Sequence, residues 1–479
     1  MRTIIPKYYL MSVAVAALLA ACDGSHLPVG APGAMPMHAP FGDAGNLRSL
    51  ASRNADGAKY PKAPLIKVGS ILYGTTNNGG TFRNPKTCQF GCGTVFSITT
   101  SGVIKVLHSF GGAGDGKYPA YAGLLNVKGT LYGTTSAGGG KYPAYAGLLN
   151  VKGTLYGTTS AGGAYGTGTI FSITTDGVEN VLHSFGGTGD GADPMGGTLI
   201  KAGAKLYGTT WSGGAYGSSD SGSRICPHIS AAPGCGTVFS ITTSGTEQVL
   251  HSFGNGNDGM HPWAGLIAVG DTLYGTTFFG GIPRSCPGDE GNGCGTVFSI
   301  TTRGSETVLH RFGKGHDGMY PQAPLLRVHS GIYGTTSEGG SETDQGTVFV
   351  ITTDGVEKVL YRFATQGGSS DAAVPISGLT NVKGTLYGTT YYGGGCQEGT
   401  VYSVTTTGVE KVLHGFCNGI NDGSTPWAGL LNVGGLLYGT TWLGGGHLIN
   451  CGHHGHPTGC GTVYSITTVG QFNLLYRFH

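Results

Sequence analysis

The residue types able to do chemistry in this 479-residue chain come as repeated sets. Histidines hold one recurring position at His108, His183, His251, His310 and His414, and Tyr361 and Tyr476 hold it elsewhere. A position that takes either ring reads as amphipathic packing with a polar tip, and a neutral imidazole alone makes no active site. Asp115, Asp190, Asp258, Asp317 and Asp422 each precede a glycine, which marks a turn whose carboxylate caps nearby amides. Loops such as 254–259 offer one carboxylate where calcium takes several oxygens. Glu179, Glu247, Glu306, Glu357 and Glu410 also recur once per unit, beside a turn and never as a local pair. Glycosidase carboxylates can, however, converge from distant loops. No zinc-protease helix motif, phosphate loop or nucleophile elbow occurs. These sets name no catalytic residue, metal ligand or cofactor.

Specificity should lie where the repeats differ. The residue after each Tyr-Gly-Thr-Thr is aromatic at Trp211, Phe278, Tyr391 and Trp442, but Asn77, Ser136, Ser160 or Ser337 elsewhere. Trp263 and Trp427 share a second position, after Pro262 and Pro426. These six aromatics are the candidate ligand-binding residues, because loop aromatics can stack on sugars or grip a partner. The alternative is that they cap a core between units.

Of 11 cysteines, ten fall into pairs: Cys88 with Cys92, Cys226 with Cys235, Cys286 with Cys294, Cys396 with Cys417, and Cys451 with Cys460. In four pairs the second cysteine directly precedes a Gly-Thr-Val, and the loops concerned have 20 to 29 residues, against 12 and 13 in cysteine-free copies. Disulfides stapling enlarged loops are expected, which implies an oxidising compartment. Segment 451–460 also holds His453, His454 and His456, with His447 just before it; its spacing matches no standard zinc pattern, which favours the disulfide, while metal binding by these imidazoles on a disulfide-closed loop stays open.

The elements that carry these residues follow from the repeat. Tyrosines of Tyr-Gly-Thr-Thr stand at 73, 132, 156, 207, 274, 333, 387 and 438, spaced by 51 to 67 residues apart from one interval of 24. Each unit contains four strand-like runs; in one copy these are 147–151, 154–159, 169–175 and 180–185. Two-residue turns ending in glycine, Lys152-Gly153 and Asp176-Gly177, separate them as tight hairpins do. The third run carries Phe171 and Ile173 on one face and Ile170 and Ser172 on the other, as a sheet packed between like neighbours requires. An all-β propeller of seven four-stranded blades is expected, with an open solenoid as the rival. Residues 117–139 and 141–163 are identical, adding one hairpin that should be poorly packed or join a blade edge.

Arg2 and Lys7 precede an apolar run, residues 8–21, too short to span a bilayer, which takes about 20 residues. It ends in Leu19-Ala20-Ala21-Cys22, which resembles the lipobox of bacterial lipoproteins and implies lipidation of Cys22. The expected organisation is a signal peptide at 1–21, a Gly-, Pro- and Ala-rich tether at 22–62 and a propeller at 63–479 with its extra hairpin at 117–140. In the tether, Leu47-Arg48-Ser49-Leu50 echoes the fourth strand of the repeat. A formal net charge of +2 gives no reason to expect nucleic acid as a partner.

The whole phrase, carried by Leu206-Tyr207-Gly208-Thr209-Thr210, Gly236-Thr237-Val238-Phe239 and Val249-Leu250-His251-Ser252-Phe253, resembles the GloVer-type tandem repeat of exported bacterial proteins with varied surface anchors. That resemblance implies export and surface attachment, and brings no catalytic residues. The expected function is binding of a glycan or protein without catalysis, on a body held to the bacterial envelope by its lipid. A carbohydrate-active hydrolase or lyase is the alternative, with Asp220, Asp289, Glu290, Glu338, Asp344 and Glu398 as its candidate acids. A structural envelope protein is a third reading.

Overall fold

A computed structural model of the chain describes residues 57–478, apart from stretches within 83–89, 112–122, 138–146, 217–231, 283–291, 341–343, 364–370, 418–421 and 447–458 and the single positions 176, 196 and 257. The expected signal peptide at 1–21, Cys22 and residues 47–50 lie outside the described residues.

Seven antiparallel four-stranded sheets, each paired in the order a-b-c-d, form a seven-bladed β-propeller, and the described residues contain no helix. The blades span 66–109, 149–184, 200–252, 267–311, 326–362, 380–415 and 431–477 and are numbered 1 to 7 in that order. Blade 4 shows the unit: strand a at Ile267–Val269, b at Thr272–Thr277, c at Thr296–Thr301 and d at Glu306–Arg311.

The repeated phrase has a local physical cause at each letter. The second threonine of Tyr-Gly-Thr-Thr meets the first threonine of strand c: Thr277 Oγ1 and Thr296 Oγ1 are 2.8 Å apart, both buried. Thr296 N also donates to Thr277 Oγ1 at 3.2 Å. The same pair recurs in blades 3 and 7 as Thr210–Thr237 and Thr441–Thr462. The glycine of the phrase makes room for an aromatic ring. A Cβ on Gly275 would lie 2.6 Å from Cζ of Phe298, which fills that space.

Strand d is offset from strand c by a bulge, between Val297 and Phe298 in blade 4, so His310 faces Val297 while Val308 faces Phe298. Neighbouring blades then meet through aromatic edges. Phe185 packs on Phe239, Phe253 on Phe298, Phe312 on Phe349, Phe363 on Tyr402 and Phe416 on Tyr464, with centroids 5.0–5.3 Å apart. The last blade returns to the first by the same device, Phe478 on Phe96 at 5.3 Å.

One seam differs. The first copy of the duplicated sequence forms a lone inner hairpin, Leu125–Val127 paired with Thr130–Tyr132, whose inner strand lies between strand a of blade 1 and strand a of blade 2. Val127 and Tyr132 pack against Leu155 and Ile173 of blade 2, and Tyr132 Oη donates to the Thr175 carbonyl at 3.0 Å. The hairpin is thus a half-blade built into the inner ring rather than a strand added at an outer edge. Among the described residues it has no strands c and d, and the outer part of the blade 2 face is open. Phe171 is only partly buried where Phe96, Phe239, Phe298 and Phe349 are fully buried, and Val181 is 45% exposed.

All five cysteine pairs are bonded, with Cα separations of 5.1–5.6 Å.

Candidate functional site

At the end of the ring where strand b stops, the chain turns outward into the b–c loop, and the crossover from the previous blade arrives just before strand a. The two variable aromatic positions therefore come together on one end of the body. Trp211 of blade 3 meets Trp263, on the crossover into blade 4, with centroids 5.2 Å apart and planes at 85°. Phe278 of blade 4 lies 6.1 Å from Trp211 and stacks on the buried Tyr320 at 5.0 Å.

Across the ring, Tyr391 meets Trp427 edge-on at 5.4 Å, and Trp427 meets Trp442 at 6.1 Å. The crossover into blade 1 carries Lys62 at the position that Trp263 and Trp427 hold elsewhere. Its Nζ lies 4.2 Å from the Trp442 ring centroid and 5.5 Å from that of Trp427. Burial pushes the Lys62 ammonium down to about 8, even though the residue keeps part of its surface in solvent. Between the two aromatic groups, blade 5 supplies Gln322 and Ser337, joined by a 2.8 Å hydrogen bond.

The six aromatics are not equivalent. Trp211 is a buried seam residue, 5% exposed, while Trp263, Phe278, Tyr391, Trp427 and Trp442 are half-buried and keep part of each ring accessible. Trp211 rests on His261, whose centroid is 4.6 Å away and whose Nδ1 donates to the Trp211 carbonyl at 2.7 Å. That bond sets the tautomer, leaving Nε2 as a buried acceptor with no hydrogen-bond partner. Burial holds the His261 imidazole down at about 4, so it is neutral under ordinary conditions. Tyr60, Tyr118 and Tyr320 occupy its position in other copies. Lys62 and His261 were not legible as site residues, because their positions vary among the copies without a pattern, Lys62 standing where Trp263, Gln322 and Trp427 stand elsewhere and His261 where Tyr320 and Thr425 stand.

A second constellation lies on the outer rim, assembled across seams. His251 at the end of strand d in blade 3 and Asp258 on the next crossover are joined Nε2 to Oδ2 at 2.8 Å, and Glu306, from strand d of blade 4, reaches the same point. The cluster recurs as His183, Asp190 and Glu247, and as His310, Asp317 and Glu357. In each, the ligand atoms lie within 4.8 Å of one another, and the glutamate Oε1 is buried without a hydrogen-bond partner. Burial, reinforced by Asp190, pushes the Glu247 carboxyl up to about 7, with His183 opposing. Burial and Asp258 raise Glu306 to the same value, opposed by His251 and Arg311. Framework readings of the histidine, the aspartate and the glutamate taken singly missed this convergence.

The alternative catalytic acids are dispersed. Asp220, Asp289 and Glu290 lie outside the described residues. Glu338 pairs in a short ladder with Met319, Asp344 sits in the b–c loop of blade 5, and Glu398 accepts a bond from Ser424 Oγ. Among the described residues, the His/Cys/Asp/Glu clusters are the three rim sites, and none includes these acids. His447 and His454 of the histidine-rich loop are outside the described residues; His453 and His456 form a two-residue ladder.

Residues 228–453 match the Gloeobacter/Verrucomicrobia repeat. These residues carry the GloVer-type repeat. No curated protein matches the chain in sequence. Among solved structures, the GloVer-repeat chain resembles a puromycin-hydrolyzing peptidase of Mycobacterium tuberculosis at 12% identity and a TM-score of 0.48, covering 88% of this chain and 55% of that one. A puromycin hydrolase matches at 10% identity and 0.46, over 89% and 55% of the two chains, and an acylaminoacyl peptidase of Pyrococcus horikoshii at 10% and 0.40, over 88% and 53%. The GloVer-repeat chain spans about half the length of each. Likeness at this level carries no activity across. The disulfides and the repeat are consistent with an extracytoplasmic protein.

Proposed function

We propose that this GloVer-repeat propeller is a binding protein that holds a polysaccharide on its aromatic end, without catalysis, and is tethered to the bacterial envelope by lipid on Cys22. The observation that carries the reading is the Trp427–Trp442–Lys62 corner. Two half-buried indoles meet edge-on with an ammonium over one of them, so apolar ring faces and a polar donor sit side by side. Sugar rings present apolar C–H faces flanked by hydroxyls, and a site for them needs that combination. The second group, Trp263 and Phe278, lies on the same end, so an extended chain could touch both. The Leu19-Ala20-Ala21-Cys22 run supports the lipid anchor.

Glycan-array binding of the full chain, compared with Trp427→Ala and Trp442→Ala variants, tests the reading. Loss of a wild-type signal in either variant supports it; a wild-type chain that binds no glycan sinks it. Radiolabelled palmitate incorporated by wild type and not by Cys22→Ser tests the anchor separately.

A further inference from the structure

The three rim clusters have the composition and geometry of cation sites. We propose that each of the seams between blades 2 and 3, 3 and 4, and 4 and 5 binds one divalent first-row metal ion, zinc or manganese, through one histidine and two carboxylates.

The ligand set suits such ions. Imidazole with carboxylates is a borderline donor set that zinc and manganese both accept. In each cluster the histidine Nε2 and aspartate Oδ2 are 2.8–2.9 Å apart. That is about the edge between two ligands that each stand about 2.1 Å from one ion at a right angle. With an ion in place, Nε2 is bare, its proton having passed to solvent, and Nδ1 keeps the ring proton. The glutamate from the following blade contributes Oε1, the buried oxygen that has no hydrogen-bond partner. Water would complete the shell on the open side of the rim.

The surrounding groups hold these ligands in place, as supporting hydrogen bonds do at metal centres. Each aspartate spends its other oxygen on the next backbone amide: Asp190 Oδ1 on Gly191 at 2.6 Å, Asp258 on Gly259 at 2.6 Å and Asp317 on Gly318 at 2.8 Å. That leaves Oδ2 facing the histidine. Each imidazole packs edge-on against the phenylalanine two residues later, at 4.8–4.9 Å. The middle site also opens on a surface hollow of about 310 Å³ lined by His251, Tyr216, Leu250 and Asn255, which gives an ion a way in.

The ring carries its own controls. Between blades 5 and 6 a tyrosine replaces the imidazole, and Tyr361 bonds Asp371 at 3.1 Å beside Glu410. Between blades 6 and 7, Phe472 replaces the glutamate and stacks on His414 at 3.9 Å. Neither seam has the full set, so three sites are expected among the described residues.

The test is zinc content by mass spectrometry of the full chain, stripped with EDTA and dialysed against zinc chloride. The chain would carry His447→Ala, His453→Ala, His454→Ala and His456→Ala to remove the histidine-rich loop as a competitor. Three zinc ions are expected, falling by one in each of Glu247→Gln, Glu306→Gln and Glu357→Gln, and unchanged in Glu410→Gln. His183→Tyr, His251→Tyr and His310→Tyr use the residue that Tyr361 already carries in this fold, so each should lose its ion while circular dichroism stays native. Zinc content that is zero at the outset, or that survives all three His→Tyr changes together, overturns the proposal.

Discussion

Phe478, the penultimate residue, packs edge-on against Phe96 of the first blade, with ring centroids 5.3 Å apart and planes at 67°. Both rings are fully buried, and they share a core with Leu65, Leu72, Tyr438 and Val463. This contact closes the ring, because it joins the two blades that lie furthest apart along the chain. Phe478→Ala should therefore cost about 3–5 kcal/mol, as truncation of a buried phenylalanine does. Phe312→Ala, at an ordinary seam, should cost about as much in equilibrium denaturation. The variants should separate in limited proteolysis, with Phe478→Ala cut first in blades 1 and 7. Equal cleavage patterns would show that closure has no special place.

His261 should contribute a loss of stability on acidification, opposite in sign to the contribution of the Glu247 and Glu306 carboxyls, whose values burial raises. The folded value of His261 is about 4 against 6.5 for the free side chain. Above pH 6.5 both states are neutral and the full stability is present. As pH drops towards 4 the unfolded chain binds the proton first, so stability is lost across that window, by about 3 kcal/mol in all. His261→Tyr, which installs the residue found at positions 60, 118 and 320, should be less sensitive over the same range. Urea unfolding at neutral and mildly acid pH measures the difference, and parallel losses in the two proteins would refute the assignment.

Gly275→Ala should destabilise by about 1–3 kcal/mol, the usual cost of overpacking. The new methyl would fall 2.6 Å from Phe298 Cζ and 2.8 Å from Leu266 Cδ2, in a core with no slack. Gly153→Ala makes the informative comparison. It has φ +93° and nothing within 4 Å, so any cost there is backbone strain alone. Combining each change with Phe298→Leu should relieve Gly275→Ala and leave Gly153→Ala untouched.

Deleting residues 117–140 should raise the melting temperature. The deletion joins blade 1 to the remaining copy of the identical sequence and lets blades 1 and 2 meet as the other blades do. Phe171 and the 45% exposed Val181 would then be covered, and each buried apolar side chain contributes on the order of 1.5–3 kcal/mol. A lower melting temperature would mean that the half-blade is a necessary spacer of the ring.

Strand identity was legible because it is local. The two-residue glycine turns and the apolar runs between them mark the strands without reference to anything distant, and the cysteine pairs announce themselves where loops lengthen. Stacking was legible too, since no unit this small buries itself. The rim clusters were not. Each of His251, Asp258 and Glu306 has an adequate local explanation, and repetition says that each recurs without saying whose glutamate meets whose histidine. Blade-to-blade packing makes that pairing: the turn at Gly304 lies against the Leu250 carbonyl of the blade before it, which brings Glu306 beside His251. Likewise, the variable aromatics were visible as positions, while only the folded ring made Trp211 a buried support and left Trp427 and Trp442 half-open beside Lys62. The sequence by itself determined the unit and its repetition, because hairpin formation is a short-range matter of turn and strand chemistry. The tertiary structure decided which side chains share a site, because those contacts are made across seams between residues that only ring packing brings together.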